Sequence, residues 1–316
     1  MGIAIHQAVL SPGTGERIMP FQRTLRRQVA CAGIGLHSGH KVTLTLKPAA
    51  ADTGIRFRRS DLGVEIPASI AYVSGTNHAT GLARDGAVVE TVEHLLAAIA
   101  CMGLDNAVVE LDHREVPVMD GSSAPFVYLI QEAGLRTLAA PRRYLKVLRP
   151  ITVSRGDKLM SLYPSDYFKV TYSISFDHPL LRHQSHTLRV DENAFVDDIA
   201  PARTFGFLHE VELLRQQGLA LGGSLENAIV LSETGVLNNQ LRYEDEFVRH
   251  KILDAIGDLS LLGHPIIGHL VAHRAGHALH TAFAKRILEE RDAWKIVELV
   301  PEQAPAFAPA AVPVNG

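Results

Sequence analysis

The predicted elements follow the same order in both halves of this chain, with strands first and helices after them. In the first half, "KVTLTLKP" alternates apolar and polar residues as a strand does, and the strand-like runs "GIRFRRSD" and "AVVEL" flank a helix that starts near Thr91. A second helix is predicted after "MDGSSAPF". The second half has the strands "YLKVLRPITV", "LMSLYP" and "FKVTYSISF", and then helices. This order predicts an α+β fold class, with two domains of similar topology and a site at their junction.

The boundary between the halves is predicted at "RTLAAPRR" (136–143). We therefore expect domain I to span residues 21–140 and domain II to span residues 141–301. The segment before the first strand pattern, residues 1–20, is expected to be a flexible N-terminal arm. Residues 302–316 belong to a Pro/Ala-rich stretch without usable periodicity, so we expect a disordered tail there.

The composition favours a small molecule as the partner. Of the 316 residues, 47% are hydrophobic and 21% are charged, and the formal net charge is -3, which argues against a general nucleic-acid binder. The presence of only two cysteines argues against a disulfide framework and favours a reducing compartment. The first twenty residues lack the pattern of a secretory signal, and no run of about 18 apolar residues occurs. We expect a cytoplasmic protein without stable membrane insertion.

The stretch "EDEFVRHKILDAIGDL" (244–259) predicts an amphipathic helix with an unusual polar side. His250, Asp254 and Asp258 fall at i, i+4 and i+8 and share one flank. An imidazole and a carboxylate one turn apart can bind the same metal ion. The same spacing also occurs where the two side chains simply pair and stabilise a helix, so the spacing leaves both interpretations open.

A second polar feature lies in the helix predicted for "VETVEHLLAAIACMG", where Glu93 and His94 project away from the apolar stripe. This pair could equally face solvent. Together with His250 and Asp254, His94 would give the three protein ligands that catalytic zinc uses, with the fourth place left for water. Glu93, next to a ligand, would then be placed to take a proton from that water.

The segment "HRAGHALH" contains His273, His277 and His280. These histidines could simply line a strand and a turn, but His277 directly follows a glycine and is our candidate for the active one. If Asp258 binds one ring nitrogen of His277, the other nitrogen can face a substrate. In "PARTFGF", a Thr204-Phe205 pair is most often packing. The Gly-Gly turn in "LALGGSLENAIVL" matches neither GxGxxG nor a P-loop.

Several motifs occur in order from about Gln22 to Val300 that resemble one family. They are "GIGLHSGHKVTLTL", "TVEHLLAA", "VPVMDGSSAPFVYLI", "ARTFGF", "LALGGSLENAIV", "YEDEFVRHKILDAIGDL" and "GHAL". The chain resembles the UDP-3-O-acyl-N-acetylglucosamine deacetylases, which catalyse the committed step of lipid A biosynthesis in Gram-negative bacteria. The resemblance implies two domains, each a β-sheet with a pair of helices, with the helix layers packed between the sheets.

The resemblance also implies roles for individual residues. The metal ligands would be His94, His250 and Asp254, holding Zn²⁺, although Fe²⁺ also suits this ligand set. Glu93 would be the general base, His277 the charged histidine that stabilises the oxyanion, Thr204 an oxyanion donor and Asp258 the residue that orients His277. The residues implied to contact the acylated UDP-sugar are Lys251, Phe205, Lys158, Phe176, Glu210 and Arg274. We expect a monomer.

Some positions depart from the family pattern. His280 lies where asparagine is expected, Arg274 lies where lysine is common, and His78 is unusual in its segment. Two other hypotheses stay open on the residues alone. The chain could hydrolyse a different N-acylated compound with the same metal, or it could be a non-catalytic protein that binds nucleotide sugars.

Overall fold

The computed structural model describes residues 5–9, 19–237 and 240–300. The tail expected at 302–316, and residues 1–4 and 10–18 of the expected N-terminal arm, lie outside the described residues. Residues Ile5–Val9, which the sequence analysis placed in that arm, form strand β1. This strand pairs in parallel with the last strand of the fold, so backbone hydrogen bonding gives it a structure that its side-chain pattern did not indicate.

The first half of the chain forms a five-stranded sheet with two helices. Its elements are β2 (Phe21–Leu25), β3 (Val29–Ile34), β4 (Lys41–Pro48), β5 (Ile55–Arg59), β6 (Val64–Pro67), a 3-10 turn (Ile70–Tyr72), β7 (Val73–Gly75), β8 (Gly81–Arg84), β9 (Ala87–Val89), α1 (Glu93–Cys101), β10 (Ala107–Leu111), α2 (Ala124–Ala133) and β11 (Leu135–Pro141). The sheet has the order β3-β4-β10-β5-β6, while β7-β8-β9 and β2-β11 form smaller sheets. In β4 the alternation predicted from sequence buries Val42, Leu44 and Leu46 on one face.

The second half contributes seven strands to an eight-stranded mixed sheet, whose eighth strand is β1. Its elements are β12 (Arg143–Val147), β13 (Ile151–Arg155), β14 (Lys158–Tyr163), β15 (Phe168–Ile174), β16 (Gln184–Arg189), α3 (Glu192–Ala194), a π-helical turn (Phe195–Ile199), β17 (Phe205–Phe207), α4 (Leu208–Gln216), β18 (Ile229–Leu231), α5 (Glu246–Ser260), β19 (Ile266–His273), α6 (His277–Glu289), a 3-10 turn (Arg291–Ala293) and β20 (Trp294–Val300). The order is β1-β20-β12-β19-β14-β13, and β15 joins β19 to β16. Strands β17 and β18 pair in parallel across α4.

Helices α1, α2, α5 and α6 connect the two large sheets through their contacts. Helix α1 packs on α5, α2 contacts β3, and α5 and α6 contact β15, β13 and β14. One hydrophobic core runs through both halves and includes Leu95 and Ile99 of α1 and Ile252 and Leu259 of α5. Most residues of α1 and α5 are buried, and the polar side chains buried with them include Glu93, His94, His250, Asp254 and Asp258. The expected α+β class is confirmed, and among the described residues no helix is long and apolar enough to cross a membrane.

Two of the candidate histidines lie on a helix and not on a strand or turn. Strand β19 ends at His273, and α6 begins at His277 directly after Gly276, whose backbone is extended. His280 follows one turn later on the same helix. Residues three apart on a helix lie on the same face, so the side chains of His277 and His280 are neighbours on α6.

Candidate metal centre and active site

Helices α1 and α5 bring three buried side chains to one point. The Nε2 atoms of His94 and His250 lie 3.6 Å and 3.4 Å from Oδ1 of Asp254. All three residues are at most 4% exposed. His250 and Asp254 come from successive turns of α5, as their spacing predicted, and His94 comes from the facing helix. These residues form one of the groups in which ligand atoms converge closely enough to hold a metal ion.

The arrangement fits a divalent metal ion. Ligand atoms bonded to zinc at about 2.0–2.2 Å in a tetrahedron lie about 3.3–3.6 Å apart, which matches the two separations. Oδ1 of Asp254 is buried and accepts no hydrogen bond from the described residues, and a bound cation would satisfy it. The other ring nitrogen of His250, Nδ1, lies 3.1 Å from the carbonyl oxygen of Ala202, which leaves Nε2 for the metal.

The protonation states of these side chains also suit metal binding. Burial lowers the pKa of His250 to about 3, so its imidazole is neutral at physiological pH. Burial alone would raise the pKa of Asp254, but the contact with His250 and the positive charge of Lys251 outweigh it and hold that pKa well below its ordinary value. The Nζ atom of Lys251 lies 2.7 Å from Oδ2, the second carboxylate oxygen of Asp254. A neutral imidazole and an ionised carboxylate are the forms that coordinate metals.

Glu93 lies beside the three-residue cluster without belonging to it. It is 2% exposed, and burial raises the pKa of its carboxyl group. The backbone N–H of Thr80 donates a hydrogen bond to Oε2 at 3.0 Å, while Oε1 lies 3.8 Å from Nε2 of His277. A carboxylate with a raised pKa is suited to accept a proton near neutral pH.

His277 faces the same space and is held from behind by Asp258. Its Nδ1 lies 2.8 Å from Oδ2 of Asp258, as the sequence analysis expected. Burial on its own would lower the pKa of His277, but the negative charges of Asp258 and Glu93 outweigh it and raise the pKa to about 9. Similarly, burial would raise the pKa of Asp258, and the contacts with His277 and His280 lower it to about 2. His277 is thus a cation whose free Nε2 points toward Glu93 and Asp254.

An apolar wall begins next to this cluster. The ring of Phe205 lies edge-on to that of His250 at 6.3 Å, and Phe176 lies edge-on to Phe205 at 6.0 Å. Nζ of Lys251 lies 5.5 Å from the centre of the Phe205 ring. Behind Phe205 is a cavity of about 290 Å³, lined by mostly apolar residues of β17, α4 and the 220–230 segment, with Thr204 and Glu210 among the polar ones. The cavity can accommodate an apolar chain.

Comparison with known proteins shows which family this chain belongs to. A family model described as LpxC, UDP-3-O-acyl N-acetylglycosamine deacetylase, matches residues 22–289, which is most of the 316-residue chain. The chain belongs to the LpxC family. The family resemblance inferred from the sequence motifs is therefore confirmed.

Individual relatives extend the LpxC assignment over nearly the whole chain. The chain is 53% identical over 281 residues to the UDP-3-O-acyl-N-acetylglucosamine deacetylase of Pseudomonas entomophila, covering 87% of this chain and 93% of that protein. For the enzymes of the same name from Syntrophotalea carbinolica and Idiomarina loihiensis, the identities are 50% and 48%, covering 89% and 90% of this chain and 92% and 95% of theirs. This LpxC-family chain is therefore an enzyme, a deacetylase.

Two of the predicted substrate residues of the LpxC-family chain, Lys158 and Arg274, lie close to Asp157. Lys158 begins β14 beside Asp157, and Nε of Arg274 lies 3.0 Å from a carboxylate oxygen of Asp157. Lys158 and Arg274 are therefore near each other. Among the described residues, neither forms a hydrogen bond or an ion pair with the metal cluster. Glu210 is exposed on α4, at the cavity. None of the predicted site residues lines the larger cavity of about 640 Å³ between the sheets.

In this LpxC-family chain, Thr80 is a candidate functional residue that no sequence pattern indicated. This residue is fully buried, and its hydroxyl donates to Oδ1 of Asp258 at 2.6 Å while its backbone N–H binds Glu93. It therefore connects the candidate base to the carboxylate behind His277. A threonine in "SGTNHATGL" carries no spacing signal for such a role. His78, in the same segment, is exposed and belongs to none of the convergent ligand groups found in the described residues.

Proposed function

We propose that the protein removes the N-acetyl group of UDP-3-O-(3-hydroxyacyl)-N-acetylglucosamine, giving the free amine and acetate in the committed step of lipid A biosynthesis. The observation that carries the proposal is the division of one buried cluster into two parts. His94, His250 and Asp254 converge as a ligand set, while Glu93 and His277 face the same space as a candidate base and a cation. Metal-assisted hydrolysis of an amide uses both parts.

The metal we propose is Zn²⁺, held by His94, His250 and Asp254, with Fe²⁺ as the alternative in the cell. When bound, it supplies Lewis-acid chemistry, lowering the pKa of water toward about 7 and polarising the acetamide carbonyl. Lys251 would hold Asp254 in place through its ion pair with Oδ2, which leaves Oδ1 for the metal. The role of the chain is to fix these ligands in a dry, preformed site.

Glu93 is proposed to be the general base. Its carboxylate would take a proton from the attacking water, whose oxygen forms a bond to the acetamide carbon. Burial raises its pKa, which improves it as a proton acceptor, and the N–H of Thr80 fixes the orientation of the carboxylate. The second oxygen, Oε1, is the one that faces His277.

His277 and Thr204 are proposed to stabilise the oxyanion of the tetrahedral intermediate. The positive charge of His277 would lie against the developing negative charge, with Asp258 fixing the ring and its tautomer. Each such contact typically contributes on the order of 3 kcal/mol to transition-state stabilisation. As the C–N bond breaks, a proton passes to the leaving amine from His277, and acetate is released.

The acylated UDP-sugar is proposed to lie along the wall that begins at Phe205. Lys251 and Phe176 adjoin this ring, and the 290 Å³ cavity behind it would take the 3-O-acyl chain. Glu210 would contact the substrate at the cavity, and Lys158 and Arg274 would offer positive charge at the edge of the site to the nucleotide diphosphate. We also propose the two domains 21–140 and 141–301 as the units whose junction forms this site.

We propose that the enzyme acts as a monomer in the cytoplasm. Cys31 and Cys101 are both unpaired, which suits a reducing compartment. A UDP-sugar substrate is consistent with the same location.

The experiment that tests the proposal measures acetate and bound metal together. Purified protein is incubated with the acylated UDP-sugar, with and without a chelator, and then with zinc added back. We expect stoichiometric acetate release that stops on chelation and returns with zinc. If the protein binds one zinc ion per chain but releases acetate only from a different N-acylated compound, the proposed substrate is wrong. Absence of both bound metal and turnover would disprove the proposed chemistry.

A further inference from the structure

A second histidine binds the carboxylate behind His277. His280 is fully buried one turn along α6, and its Nδ1 lies 2.8 Å from Oδ2 of Asp258. Nδ1 of His277 lies at the same distance from the same oxygen. The other carboxylate oxygen, Oδ1, accepts the hydroxyl of Thr80. Asp258 is thus fixed by three donors from two parts of the chain, the first turn of α6 and the segment at Thr80.

The far side of His280 contacts a buried tyrosine. The hydroxyl of Tyr172, on β15, lies 3.0 Å from Nε2 of His280, and the two rings are edge-on at 6.2 Å. Tyr172 is 0% exposed, so its hydroxyl depends on a partner inside the protein. Four residues therefore follow one another in a hydrogen-bonded row, in the order Tyr172, His280, Asp258 and His277.

The direction of each hydrogen bond follows from the chemistry of the groups. Ionised Asp258 can only accept, so Nδ1 of His280 must carry the hydrogen. Burial lowers the pKa of His280, and the neutral ring then has an unprotonated Nε2 that accepts. Burial raises the pKa of Tyr172 well above its ordinary value, so its O–H stays protonated and donates. Tyr172 therefore selects the tautomer in which His280 donates to Asp258.

We infer that Tyr172 and His280 are positioning residues for the deacetylation, acting through Asp258 on His277. Rotation of the Asp258 carboxylate would break the hydrogen bonds to His280, His277 and Thr80 together, so the ring of His277 keeps one orientation. The hydrogen bond from His280 also uses one lone pair of Oδ2, so His277 can bind only along the direction of the other lone pair. The inference rests on the roles proposed above for His277 and Asp258.

The test is a double-mutant cycle on the zinc-loaded enzyme. Tyr172→Phe removes only the hydroxyl, and His280→Asn keeps an amide donor close to the position of Nδ1 while losing the contact with Tyr172. We expect Tyr172→Phe to lower kcat about fivefold to tenfold, the effect of one lost hydrogen bond, with KM unchanged. In the His280→Asn background the same change should have no further effect, because the path from Tyr172 is already cut. Tyr144→Phe, which loses a hydroxyl contact to the carbonyl of Met19, is the matched control.

A spectroscopic measurement separates this role from general packing. Imidazole N–H groups bound to a carboxylate give low-field proton resonances, and we expect one each for His277 and His280 in the wild type. Tyr172→Phe should shift or broaden both, His280→Asn should remove one, and Tyr144→Phe should change neither. The inference would be overturned if the effects of Tyr172→Phe and His280→Asn on kcat were additive in the double mutant. It would also be overturned if Tyr172→Phe matched the Tyr144→Phe control in both kcat and spectrum. A wild type that releases no acetate would refute the proposed function instead.

Discussion

Gly257 of α5 lies directly against the backbone carbonyl of Glu93 on α1, so closely that a Cβ atom at position 257 would overlap with that oxygen. The two helices therefore cross where one of them carries the candidate base. Asp254 and Asp258 lie three residues before and one residue after this glycine. The closeness of the helices at Gly257 sets the distance between Glu93 and the residues of α5.

Gly257→Ala should separate the two helices at this crossing. Overpacking a close helix contact typically costs about 1–3 kcal/mol, so we expect a lower free energy of unfolding in denaturant titration. We also expect kcat to fall by more than the loss of folded protein explains, since the carbonyl and side chain of Glu93 move together. Gly75→Ala is the control, because a Cβ there meets open space. Equal activity in the two variants would show that the crossing distance does not matter.

The charge of His277 should depend on Asp258, and metal-free protein offers the direct measurement. The pKa of His277 is raised from 6.5 to about 9. A raised pKa means that protonation stabilises the folded state; the contribution is complete below about pH 6.5 and is lost as the pH rises through about 9. Asp258→Asn should lower this pKa, as followed by NMR titration of the ring. An unchanged titration in Asp258→Asn would contradict the assigned contact.

The cavity behind Phe205 should determine which acyl chains are accepted. Leu214 lines it, whereas Leu213, the preceding residue on α4, is 54% exposed. We expect Leu214→Trp to raise KM about tenfold for a long-chain substrate, the effect of excluding roughly two methylene groups at about 0.8 kcal/mol each. A substrate with a truncated chain should be unaffected. Leu213→Trp is the matched control, and a similar KM change in both variants would place the acyl chain elsewhere.

The sequence predicted the parts of the site that depend on local periodicity. The shared flank of His250, Asp254 and Asp258 follows from the helical repeat and was found as expected. The strand alternation of β4 was equally local. That His94 faces this flank depends on the packing of α1 on α5, which no spacing encodes. The sequence analysis named His94 as a candidate third ligand because catalytic zinc uses three protein ligands, and the resemblance to a family implied the same residue.

The parts that the sequence did not predict depend on contacts between distant segments. Thr80 is 178 residues from Asp258 along the chain, and Tyr172 is 108 residues from His280. Threonine and tyrosine are common in cores, so neither residue differs from its neighbours until the fold brings it to a buried carboxylate or imidazole. Strand β1 is a similar case, since it exists through pairing with β20 at the other end of the chain.

The central claim is that one buried cluster contains a metal-holding part and a separate proton-accepting part, and a comparison of two substitutions tests it most directly. Metal content per chain and the rate of acetate release are measured for Glu93→Gln and for His94→Ala. We expect Glu93→Gln to bind zinc at the wild-type stoichiometry and to lose about 10²–10⁴ of kcat, the usual range for a general base. His94→Ala should lose both the metal and the activity. Equal metal loss in the two variants, or a Glu93→Gln enzyme with wild-type kcat, would contradict the account.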